Sequence, residues 1–98
     1  MDAAAALTPS HASSTTLERL PRGASARVVC VKAPAQQAEW ADQLSDLGFV
    51  SGEQVAVIAQ GMPGADPLVV RVGLSTYALR RAEAACVHVT PTGKLSLG

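Results

Sequence analysis

The chain has 98 residues, 48% of them hydrophobic, one each of Trp, Tyr and Phe, and a formal net charge of zero from eight basic and eight acidic side chains. That length gives room for one domain, and the shortage of aromatics means a core of Val, Leu, Ile and Ala. The charge balance excludes the basic excess on which nucleic-acid binders depend, so no nucleic-acid partner is expected.

In chain order, residues 1–15 are rich in Ala, Ser and Thr without an amphipathic period and read as a disordered tail. The apolar run at 3–7 is not a signal peptide, because Asp2 stands in place of a basic region and Pro9 cuts the run short. Leu20, Pro21, Arg22 and Gly23 mark a turn, and the β-branched stretch 26–32 reads as a strand ended by Pro34. The period then lengthens: Trp40, Leu44 and Leu47 fall on one face of a helix over 36–47, and Gly48 stands where a left-handed residue would close it. Residues 54–60 form a second strand, apolar on both faces. A dense turn signal follows at 62–67, then a third strand at 68–72, with Gly73 as a bend and 74–77 continuing as strand. Residues 80–84 suit a single helical turn, and 86–90 the closing strand with Val87 and Val89 inward. The stretch 91–98 reads as a flexible C-terminal tail, which leaves 16–90 as the domain. The fold class is mainly β, a small SH3-like partly open barrel of about five strands with one α-helix across its mouth.

Little in this pattern supports catalysis. No nucleophile sits in a recognisable elbow, His11 falls in the tail, and the glycines at 61 and 64 lack the Lys and Ser/Thr of a phosphate loop. Asp42 and Asp46 are helical neighbours of the kind that make a solvated face. No catalytic residue is therefore assigned. Cys86 and His88, two apart on one strand, would share a face and could offer a thiolate and an imidazole to Fe or Zn. That donor set falls short of the four that a structural zinc requires, so no cofactor is expected beyond weak transition-metal binding. With only two cysteines and no secretory pattern, the thiols are expected to be reduced and the chain cytoplasmic.

Four motifs occur in order: Leu20-Pro-x-Gly23; Leu44-x-x-Leu47-Gly48-Phe49-x-x-Gly52; Gly64-x-Asp66-Pro67-Leu68; and the run from Tyr77 through Leu79, Arg80 and Arg81 to Ala84. Together they resemble the FeoA family across nearly all of 16–90. The chain departs from the family's usual pattern at Gln43, often Arg, and at Ser51, often Pro. The resemblance implies a cytosolic SH3-like domain at the inner membrane, working beside a FeoB-like ferrous-iron transporter that carries a GTPase domain. On that reading Trp40, Gln43, Leu47 and Phe49 are the expected partner contacts, since aromatics carry large areas at protein interfaces. Gly48, Gly52 and Gly73 are the expected structural turns. The alternative for Trp40 and Phe49 is that they plug the barrel end. The alternative function is a metal-responsive domain using Cys86 and His88. Strand edges and zero net charge also make a weak homodimer conceivable, whereas the scarcity of aromatics argues against a proline-rich ligand.

Overall fold

Short β-branched runs form the strands of the computed structural model, which describes residues 14–61, 64 and 66–94. They are β1 (Thr15–Thr16), β2 (Ala24–Val31), β3 (Gln54–Gln60), β4 (Leu68–Val72), β5 (Ser75–Leu79) and β6 (Val87–Lys94). Helix α1 (Glu39–Leu47) lies between β2 and β3, and the one-turn helix α2 (Arg81–Ala84) precedes β6. All neighbours in the sheet are antiparallel, in the order β1-β6-β2-β3-β4-β5. The edge strands β1 and β5 do not pair with each other, which leaves the SH3-like barrel partly open.

Alternation along the strands decides the inside. Val28, Val55, Val57, Val70, Val87 and Val89 all point inward and are fully or almost fully buried, and Leu44 of α1 closes over them. Burial of branched aliphatics at roughly 1.5–3 kcal/mol each offsets the ordering entropy that an aromatic-poor core must meet. Among the described residues no helix is long and apolar enough to cross a membrane.

Several boundaries differ from the sequence expectation: α1 begins at Glu39 rather than residue 36, and β2 spans Ala24–Val31 rather than 26–32. The third strand does not run on past Gly73. Val72 and Ser75 are paired across a two-residue hairpin turn of Gly73 and Leu74, with Gly73 at φ 60°. A positive φ at the first central residue matches the turn's twist to that of the strands it joins, which glycine does without steric cost. The closing strand begins at Val87, with Cys86 in the preceding turn, and it continues to Lys94 rather than fraying after Thr90. The extension has a partner, since Ala24, Ser25 and Ala26 pair with Lys94, Gly93 and Pro91 across an irregularity that skips Thr92. Pro91 therefore sits beside a bulge, where its missing N–H costs no regular ladder bond. The sixth strand, β1, is only two residues long and pairs Thr15 with Val89 and Thr16 with His88. Most of the stretch 1–15, including His11, lies outside the described residues, as do 95–98.

Candidate interaction surface and side-chain clusters

Helix α1 presents its predicted face. Leu44 is 3% exposed, while Trp40 and Leu47 are half-buried and pack on the rim of the core. Gln43, three residues after Trp40 and four before Leu47, is exposed. At helical spacing these three make a continuous stripe along the margin between core and solvent. The outward face carries Glu39, Asp42 and Asp46, all exposed. Glu39 and Asp42 lie in the first turn, where carboxylates complement the helix dipole.

The end of α1 explains the fourth expected contact, and corrects it. Gly48 adopts φ 115°, its N–H bonds to Ser45 O at 3.0 Å, and Phe49 N–H bonds back to Leu44 O at 3.0 Å. This is the paired hydrogen-bond pattern of a Schellman cap, in which the residue after the glycine turns back onto the helix's last apolar turn. Phe49 accordingly is 0% exposed, with its ring centroid 6.4 Å from that of Tyr77. Its side chain has no surface to offer a partner. The barrel-plugging alternative describes Phe49, and Trp40 only in part.

Burying Phe49 sends its neighbour outward. Val50, which sequence reasoning missed, is 46% exposed: the chain turns tightly at Phe49, with Val50 N–H bonded to Gly48 O at 2.8 Å. The turn that holds it is tied to β2 through Gly52 N–H to Val28 O at 2.8 Å and Val28 N–H to Glu53 O at 2.9 Å. Gly52 takes φ 92° there. Val29, also 46% exposed, lies on the strand segment that receives this turn, and Leu74 at the hairpin tip is fully exposed.

Cys86 and His88 do not come together. Cys86 lies in the turn ahead of β6, not on the strand, so alternation does not apply to it. It joins the core, and its Sγ–H points at Ala82 O, 3.6 Å away. Burial pushes its thiol above the usual range, and the carboxylates of Glu83 and Glu18 push the same way. Such a thiol is a poor metal donor, because the ligand is the thiolate. His88 faces the opposite side of the sheet from the inward Val87 and Val89, and is half-buried. It lines a shallow cleft of about 320 Å³ with Ser14, Thr15, Thr16 and Arg19. Arg19 Nε lies 3.7 Å from Glu18 Oε2, and the Thr16 hydroxyl donates to the other carboxylate oxygen of Glu18. Among the described residues, no group of three or more His, Cys, Asp or Glu side chains is placed to hold a metal ion.

Comparison with known proteins identifies the family and the fold. The profile of the FeoA domain matches residues 15–91. The fold is similar to that of Stenotrophomonas maltophilia FeoA, described as an SH3-domain protein complexed with zinc, at 43% identity and a TM-score of 0.70 over 76% of this chain and 88% of that one. It is also similar to Chlorobium tepidum FeoA, at 29% identity and a TM-score of 0.67 over 81% and 71% of the two chains. A manganese-dependent transcriptional repressor shares the fold alone, with 15% identity and a TM-score of 0.68 over 80% of this chain and 41% of that one. No curated protein matches the chain.

Proposed function

The chain belongs to the FeoA domain family, and on that premise we propose that it is a non-catalytic regulator of ferrous-iron uptake, acting by contact with a FeoB-like membrane transporter that bears a GTPase domain. It would sit in the cytoplasm, held at the inner membrane by that partner alone. The observation that carries this reading is the rim stripe of Trp40, Gln43 and Leu47 on α1. A Trp left half-buried in a chain with three aromatics offers a partner a large apolar area with few rotamers to freeze. Val50, exposed immediately beyond the helix cap, supplies further apolar surface. Contact of this kind regulates only if it favours one state of the partner, so its strength should depend on the nucleotide the GTPase domain holds.

The test is retention of the purified transporter on the immobilised chain, with and without guanine nucleotide. Retention should depend on nucleotide state and fall at least about tenfold with Trp40→Ala, a loss in the range typical of interface aromatics. Because Trp40 also packs on the core, Gln43→Glu provides a second variant at an exposed position. It should weaken retention while leaving thermal stability unchanged. Absence of retention in every nucleotide state, or full retention by both variants, would overturn the proposal.

A further inference from the structure

We propose that Cys30 and His88 form a surface site for a single thiophilic divalent cation of the zinc type, with water completing the coordination. The proposal goes beyond the adaptor reading and does not depend on it. His88 lies on β6 between β1 and β2, directly opposite Thr16 on one side and Cys30 on the other. Directly opposed residues of an antiparallel pair share a face, with Cβ atoms about 4.5–5.5 Å apart. Thiolate sulfur at about 2.3 Å and imidazole nitrogen at about 2.0 Å from a tetrahedral ion are separated by about 3.5 Å, which two such side chains can span.

A β-bulge is what puts the thiol there. Val28 pairs with Val89 and Cys30 with His88, so β2 spends one residue more than β6 over this step, and Val29 is the extra one. Strict alternation from the inward Val28 would turn Cys30 into the core. With the bulge, Val28 and Val31 both face the core while Val29 is exposed and Cys30 half-exposed, on the face that carries His88. Bulges recur where a side chain is re-aimed for function. The ligand chemistry suits borderline-soft ions, since a thiolate and an imidazole favour zinc over calcium or magnesium. Arg19 lines the cleft on the far side of His88, but Glu18 offsets its charge. With two protein donors the site is exchangeable rather than structural.

Cobalt(II) serves as the probe, added to the reduced full chain and followed by the near-ultraviolet thiolate-to-metal charge-transfer band, with zinc added in competition. Wild type should show the band and lose it to zinc. Cys30→Ser should abolish the band, and His88→Gln should weaken cobalt binding by at least about tenfold, since even groups that only orient ligands are worth roughly 10–100-fold. Cys86→Ala, a small apolar replacement in the core, should leave the band intact. No band in wild type, a band that survives Cys30→Ser, affinity unchanged by His88→Gln, or loss of the band only with Cys86→Ala would each overturn the assignment.

Discussion

Phe49 is the largest fully buried side chain among the described residues, so truncating it tests the packing of the core directly. Phe49→Ala should cost about 3–5 kcal/mol, the usual range for an aromatic lost from a core, measured by denaturant unfolding. A loss below about 1 kcal/mol would show that the side chain is not packed as described. The two cysteines differ just as sharply. Cys30 is half-exposed, whereas Cys86 is buried with its thiol held above its ordinary range by burial first and by Glu83 and Glu18 next. Native-state alkylation at neutral pH should therefore label Cys30 first and Cys86 only slowly, with mass spectrometry locating each adduct. Equal labelling rates would contradict the burial. The raised value also has a sign in the stability. Folding keeps the Cys86 proton that the unfolded chain releases at its ordinary thiol range, so this contribution is complete below that range and declines as the pH climbs through it and beyond.

At the scale of the element, the cap of α1 links helix, turn and sheet. Gly48 carries φ 115°, and a Cβ built on it would come within 3.4 Å of Val72 Cγ2 on β4. Gly48→Ala should therefore cost about 1–2 kcal/mol from the backbone conformation alone, with a further loss if Val72 must shift. Thermal unfolding checks this, and an unchanged midpoint would mean that the cap is not left-handed. Elements of this kind were legible in the sequence wherever a period and a stop signal coincided. The helix ending at Gly48 and the strand β3 are examples, and Val87 and Val89 were placed inward on the same grounds. The cap also held the means of placing Phe49, since an apolar residue directly after a C′ glycine folds back onto the helix. The rest depended on partners far away in the chain. A two-residue strand such as β1 has no periodicity, and β6 reaches Lys94 only because β2 presents residues 24–26 to pair with it. The outward aim of Cys30 follows from one inserted residue, which strand alternation by itself cannot reveal. For the same reason the Cys86–His88 pair failed: one member lies just outside the strand that the pairing assumed.

At the scale of the whole molecule, zero net charge conceals an uneven distribution. Helix α1 has three exposed carboxylates, Glu39, Asp42 and Asp46, and no basic residue, while the stripe of Trp40, Gln43 and Leu47 beside them is uncharged. These two surfaces of one helix imply different physics for the partner complex. Docking through the stripe buries apolar area, which salt affects little, whereas docking of the acidic face on a basic partner surface is screened. Raising ionic strength from 0.01 to 1 M shortens the Debye length from about 30 Å to about 3 Å. Over that range the affinity for the transporter should change by less than about threefold if the stripe makes the contact. A loss of more than about tenfold would assign the contact to the acidic face instead. Asp42→Asn separates the two cases independently. It removes one charge next to the stripe without touching the core, so it should leave affinity unchanged for apolar docking and weaken it measurably for electrostatic docking.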